Sequence, residues 1–324
     1  MESRTKLKLE DYTIKQLVKE GLKENVEIET ISELPGGGFA SLYKIVLVNG
    51  EKVVLKLSVA GHGNELQYEQ KVMETEVRVL RKLQVDNIVP VPKVLCYDDT
   101  KSILEVPYFF MEWVEGVQLS TLYDKLLPME QAKIAKQLAE YTLKLHSFQE
   151  NYFGVLPLKH KQFTTWKETF LFMIKELLED AEAKEVLLPY DYKTFYAKIE
   201  RHSHCLEEVT EGRLVHKDLW YGNIMVDPNG LEITSIIDFE RAIVADPLLD
   251  IVCGFLMDNT FYMKHYMGRD LTVGEKERAV LYEIYLFLLM VIECYYRGYS
   301  KEQEAWPREK LEKAVRELER WDER

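Results

Sequence analysis

Apolar and polar residues follow two different rhythms along this chain. Tyr12 to Leu22 carries Ile14, Leu17, Val18 and Leu22 at helical spacing, with Gly21 and Asn25 as stop signals. The pattern then changes to alternation in TISELPGGGFASLYKIVLVNGEKVVLKLSVA, where Asn49-Gly50 between two β-branched runs predicts a hairpin. Lys71 to Leu83 returns to helical spacing through Val72, Val77, Leu80 and Leu83, and VPKVLCYDD and PYFFMEWVEG read as two more strands. From Leu119 onward the pattern is mainly helical, with long amphipathic segments at Met129–Phe148, Trp166–Leu188, Tyr192–Val209, Glu275–Arg297 and Arg308–Arg320. One strand–turn–strand passage, LVHKDLWYGNIMVDPNGLEITSIIDFE, interrupts them. The expected architecture is α+β and bilobal, with a cleft between a small antiparallel-sheet lobe over residues 1–112 and a larger helical lobe over 119–324. Residues 113–118 would form the hinge.

Composition narrows the function classes. With 324 residues, 47% hydrophobic and 30% charged, the chain can bury two modest cores. A net charge of −13 argues against a nucleic-acid partner. The longest apolar run, Ile284 to Ile292, is too short to span a membrane, and MESRTKLKLEDY lacks the apolar core of a secretion signal. Four scattered cysteines without a CxxC pair predict free thiols and a cytoplasmic location, and a monomer is the expected state. The charge is unevenly spread: residues 219–246 hold five acids against one base, Arg241.

That acid-rich stretch overlaps the sharpest chemical signal. His216-Lys217-Asp218 is followed by Asn223 and, on the next strand end, by Asp238-Phe239-Glu240. One carboxylate placed to accept a hydroxyl proton, followed by an amide and a second carboxylate, is the donor set that Mg²⁺-dependent phosphoryl transfer requires. Asp218 is the candidate base, and Asn223 and Asp238 are the candidate metal ligands. Upstream, Lys56 stands alone in the apolar strand VVLKLS, where an unpaired ammonium would be costly to bury. Glu76 lies on the packing side of the following helix and is its candidate partner, ahead of Glu69 and Glu74. Gly36 to Gly38, just before the hairpin, would let backbone N–H groups approach phosphates.

The order of glycine loop, strand lysine, helix glutamate, MEWVEG, HKDLWYGN and IDFE resembles the aminoglycoside phosphotransferase/choline kinase group of kinase-like enzymes. LHSF at Leu145–Phe148 and ADPLLDI at Ala245–Ile251 fit that group too. The resemblance implies a protein-kinase-like fold and transfer of a nucleotide γ-phosphoryl, from ATP or GTP with Mg²⁺, to a hydroxyl of a small molecule. It would make Lys56 and Glu76 the phosphate clamp and place the nucleotide base against the backbones of Glu112 and Val114. It would give His216 and Asp250 a bracing role. The loop lacks the third glycine of the protein-kinase pattern, which brings Ser41 forward as a phosphate contact beside Gly36 and Gly38. Only seven residues lie between Asp238 and Asp246, too few for a folded activation segment that could dock a protein substrate.

The acceptor is less determined. The acid-rich segment suits a cationic amino sugar of the aminoglycoside type, with Glu240 as its most available carboxylate. Glu283, Glu293 and Arg297 share one stripe of an apolar helix that faces either solvent or the floor of the acceptor cleft. Phe261, Tyr262 and Tyr266 would form an apolar rim for a macrolide or another uncharged acceptor, and a sugar or amino alcohol is a further alternative. A non-catalytic nucleotide-binding module is a rival class, which the presence of lysine, base and metal ligands disfavours. His202 and His204, two apart, are expected on an exposed helix face rather than on a metal.

Overall fold

The computed structural model describes residues 7–22, 26–34, 40–58, 65–229 and 231–321. Helix α1 (Asp11–Gly21) precedes strands β1 (Ile28–Glu33), β2 (Ser41–Leu47) and β3 (Lys52–Leu57), helix α2 (Val72–Asp86), and strands β4 (Val94–Asp98) and β5 (Tyr108–Glu112). These strands form one five-stranded antiparallel sheet in the order β1-β2-β3-β5-β4. The β2–β3 hairpin turns at Asn49-Gly50, where Gly50 takes a φ of 85° and the Asn49 side chain accepts from the Glu51 N–H. Ile14, Leu17 and Val18 of α1 pack with Ile45, Leu55 and Phe110 into a small core of their own.

A two-residue strand, β6 (Val117–Gln118), leads out of this lobe and pairs with Met225 and Val226 of the second lobe. Gly116 stands at its entrance with a φ of 132°, and a Cβ there would lie 2.4 Å from the Val226 carbonyl, so only glycine fits.

The second lobe begins with α3 (Pro128–Leu145), short strands β7 (Gln149–Glu150), β8 (Phe153–Gly154) and β9 (Gln162–Phe163), and helices α4 (Trp166–Ala183) and α5 (Tyr192–Arg201). Strands β10 (Gly212–Val215), β11 (Ile224–Val226), β12 (Ile233–Ile236) and β13 (Ile243–Ala245) carry the chemistry-bearing loops. Helices α6 (Leu248–Cys253), α7 (Thr260–Tyr266), α8 (Val273–Arg297) and α9 (Lys301–Glu319) close the lobe. Helix α8 is long and apolar enough by composition to cross a membrane, but 78% of its apolar window is buried inside this lobe, as a core helix is. Trp166, Phe170, Tyr282 and Tyr285 pack around it.

Two expectations about the helices change. Helix α9 starts at Lys301, seven residues before the predicted Arg308, because Ser300 and Gln303 form a capping box; Pro307 lies inside it. The Tyr192–Val209 segment ends its α-helix at Arg201 and continues as a 3₁₀ turn over Ser203–Glu208. There His202 is buried against Trp321, while His204 is exposed as expected. All four cysteines are free thiols.

Candidate active site

The β11–β12 hairpin brings two candidate ligands together. Asn223 immediately precedes β11, Asp238 follows β12, and the pairing Ile224↔Ile236 sets them side by side. The Ile237 N–H donates to the Asn223 carbonyl at 3.0 Å and closes the hairpin end. Asp238 adopts the left-handed conformation (φ 68°), which turns its carboxylate back toward β3.

Strand β10 delivers the loop that carries His216, Lys217 and Asp218, pairing Val215 with Ile243 of β13. Asp250, fully buried at the start of α6, braces that loop: its carboxylate accepts from the backbone N–H groups of His216 (2.9 Å) and Lys217 (2.5 Å) and meets His146 Nε2 at 2.9 Å. His216 completes the brace. Its Nε2 faces the Ile237 carbonyl (2.9 Å) and must donate, so its Nδ1 is left to accept from the Asp218 N–H at 3.2 Å. Burial lowers the His216 pKa, consistent with that neutral tautomer. The bracing roles read from the sequence for His216 and Asp250 are therefore visible as bonds.

Asn223 donates to the Asp218 carbonyl (2.8 Å) and to its carboxylate (3.1 Å), which leaves the amide oxygen of Asn223 as a free donor atom for a cation. Burial pushes the Asp218 carboxyl up to about 7; Arg241 opposes the shift, while Asp238, Glu240 and Glu293 add to it.

Lys56 sits at the centre of a carboxylate cage. Its Nζ lies 2.7 Å from Glu76, 2.6 Å from Asp238 and 2.9 Å from Glu240. Burial would release the ammonium proton, but these carboxylates together hold the Lys56 pKa well above its ordinary value. Burial also raises Glu76 to about 8, and Asp238 is the member that Lys56 keeps ionised, below the usual range despite its burial. The single candidate oxygens of Glu76, Asp238 and Glu240 lie within 4.8 Å of one another. The sequence assigned Glu240 to the acceptor; the structure places it on Lys56, because the 3₁₀ turn Phe239–Arg241 points it back under the sheet lobe.

Other candidates are distributed as follows. Ser41 opens β2 with a buried hydroxyl that has no hydrogen-bond partner among the described residues, and Gly36 and Gly38 lie outside those residues. Glu112 ends β5, and the Val114 N–H donates to no backbone carbonyl among the described residues. Glu293 is buried and accepts from Arg241 (2.8 Å) and from the Tyr68 hydroxyl (2.5 Å); Arg297, on the same stripe, pairs with Glu69. The stripe thus faces inward at Glu293 and Arg297, and only Glu283 is exposed. Tyr262 is buried, and Tyr266 stacks on it and bonds to His146, so these two form no rim; Phe261 alone of the three is exposed.

The sequence reading missed Tyr68 and Arg241. Residues 67–69 dock on the helical lobe: the Gln67 N–H reaches Asp180 (3.0 Å), Tyr68 reaches Glu293, and Glu69 reaches Arg297. Arg241 had one visible signal, its being the sole base in the acid-rich stretch.

This arrangement can clamp phosphates, hold a cation on hard oxygens and accept a proton at Asp218. Residues 30–268 match the sequence profile of the phosphotransferase enzyme family. The chain belongs to that family. Two fungal relatives match less of the chain. An altered inheritance of mitochondria protein 9 from Clavispora lusitaniae is 29% identical over 40% of this chain and 22% of its own length. A subtelomeric hrmA-associated cluster protein from Aspergillus fumigatus is 29% identical over 42% of this chain and 26% of its own. The chain thus spans about a quarter of the length of these relatives.

Solved structures agree on the fold. A thermostable mutant of the aminoglycoside phosphotransferase APH(4)-Ia, crystallised with AMP-PNP and hygromycin B, superposes with a TM-score of 0.65 at 18% identity, over 94% of this chain and 98% of that one. APH(2")-IIa, in a complex with streptomycin and ATP, gives 0.64 at 21% identity over 97% of both chains. A proposed fructosamine-3-kinase from Thermobifida fusca gives 0.66 at 18% identity, over 93% of this chain and 98% of that one. The bilobal kinase-like fold read from the sequence is therefore the observed one.

Proposed function

We propose that this family member transfers the γ-phosphoryl of ATP or GTP to a hydroxyl of a small molecule, with Mg²⁺. The observation that carries this reading is the Lys56 cage facing the Asp218–Asn223 pair. Three carboxylates converge on one ammonium, with Asp238 kept ionised, and their hard oxygens suit a divalent ion once Glu76 and Glu240 give up their protons to it. Asp238 and the amide oxygen of Asn223 would hold Mg²⁺, which when bound supplies charge neutralisation on the nucleotide phosphates. Lys56, fixed by Glu76, clamps the phosphates, and the Ser41 hydroxyl is free to donate to them. Glu112 and Val114 offer their backbones to the base. Asp218 orients the acceptor hydroxyl and takes its proton late, since a loose transition state asks little base strength of it. Closing the cleft on this preformed cage strengthens every one of these interactions.

Aminoglycosides are the acceptors to test first, because the matched structures hold hygromycin B and streptomycin. A second reading, a less charged sugar, amino alcohol or macrolide, is favoured by the pairing of Glu240 with Lys56 and of Glu293 with Arg241, which leaves fewer free acids for a polycation. A nucleotide-consumption screen against antibiotics and small metabolites tests the reaction itself; no consumption with any acceptor would favour a non-catalytic nucleotide-binding module. Salt separates the two acceptor classes. The KM of a polycation should rise steeply as the Debye length shrinks from ~10 Å at 0.1 M to ~3 Å at 1 M, and that of a neutral acceptor should stay flat.

A further inference from the structure

Behind the catalytic loop lies a cavity of about 30 Å³ whose walls include Tyr68, Lys161, Glu176, Lys217, Arg241 and Tyr285. It has room for one or two water-sized species. Most charges around it are already matched. Lys161 meets Glu176 at 2.6 Å, Arg241 meets Glu293 at 2.8 Å, and Glu240, which also borders the cavity, meets Lys56 at 2.9 Å.

Lys217 is different. It is only 8% exposed, yet its ammonium has no carboxylate within ion-pair distance among the described residues. Its neighbours are the uncharged rings of Tyr285 (5.1 Å) and Tyr68 (5.7 Å). The thiol of Cys253, the ionisable group it feels most strongly, is pushed up to about 12 by its own burial and so supplies no anion. The backbone at Lys217 is strained as well: a φ of 65° is one that glycine would adopt freely and a lysine does not. A second donor on the same cavity is also unused. The Tyr285 hydroxyl, on a side chain 1% exposed, has no hydrogen-bond partner among the described residues.

A buried ammonium left unneutralised is unfavourable, and an aromatic ring offsets only part of that. We propose that this cavity binds one small monovalent anion of halide size, held by the Lys217 ammonium and the Tyr285 hydroxyl. Phosphate and larger polyatomic anions exceed the space. Without the anion, burial holds the Lys217 pKa down at about 8, close to releasing its proton; with it, the amine stays charged.

Crystals of the wild-type protein grown in bromide should show an anomalous peak in the cavity between Lys217 and Tyr285. In solution, replacing gluconate by chloride or bromide at equal ionic strength should raise Tm by roughly 3 °C or more at about 0.2 M halide, as expected for a ligand that binds the folded state only. Lys217→Met and Tyr285→Phe should each lose most of that rise. A cavity without anomalous signal at saturating bromide would overturn the proposal, and so would a halide response equal in wild type and Tyr285→Phe. The bromide map and the tyrosine variant decide the matter even if Lys217→Met does not fold.

Discussion

Lys56 and Lys217 are both buried beside the same acid-rich stretch, Lys217 next to it in sequence and Lys56 brought to it by the fold, and they are in opposite company. Lys56 has three carboxylates within 2.9 Å, whereas Lys217 has two aromatic rings and no carboxylate in pairing range among the described residues. The direction of the pKa follows the company: Lys56 is held well above its ordinary value and Lys217 is lowered to about 8. Burial lowers both, so the difference is made by neighbouring charge alone. A buried lysine therefore carries no fixed meaning. At Lys56 the ammonium is matched by carboxylates whose oxygens suit a cation; at Lys217 the local excess is positive.

The contrast is sharpest if Lys56 is removed. Lys56→Met should reduce turnover by ~10²- to 10³-fold, the range for deleting a preorganised electrostatic contact. It also leaves Glu76, Asp238 and Glu240 facing one another, so Mg²⁺ should raise the Tm of this variant more than that of wild type. A variant indifferent to Mg²⁺ would break the view of this cage as a cation site.

Asp218 comes next. Asp218→Ala should cut turnover at least ~100-fold while leaving nucleotide affinity near wild type. Because burial raises the Asp218 carboxyl to about 7, the group is protonated below that pH and cannot accept a proton. The acceptor kcat/KM should accordingly climb as pH rises toward 7 and level off above it, and Asp218→Asn should lack that limb. Retained turnover in the alanine variant would move the base elsewhere.

Asp238→Asn should have a smaller effect, seen in binding. Loss of an anionic oxygen should weaken nucleotide affinity more with Mg²⁺ than in EDTA, and equal losses under both conditions would put Asp238 outside the metal shell. Smallest of all, Glu283→Gln on the exposed part of α8 should leave Tm unchanged. A raised acceptor KM with a flatter salt dependence in that variant would place Glu283 beside a cationic acceptor.

Sequence alone was enough where the candidate site is encoded in short range. The spacing from His216 through Asp218 to Asn223 and on to Asp238 spans one loop and one hairpin, so local geometry leaves little freedom in how the groups meet. Asn49-Gly50 and the helical stripes of α1 and α2 were legible for the same reason, since turn chemistry and side-chain period act within a few residues. Lys56 to Glu76 was within reach because an apolar strand forces a buried lysine to find a partner, and the next helix offers one. What the tertiary structure alone decided is the company each charge keeps across long separations. Tyr68 and Glu69 meet Glu293 and Arg297 more than 220 residues away, and Glu240 turns to Lys56. A helical period says which residues share a face of α8 but not what that face meets. That is set by how the two lobes pack, and a buried charge takes whichever partner the packing brings within reach.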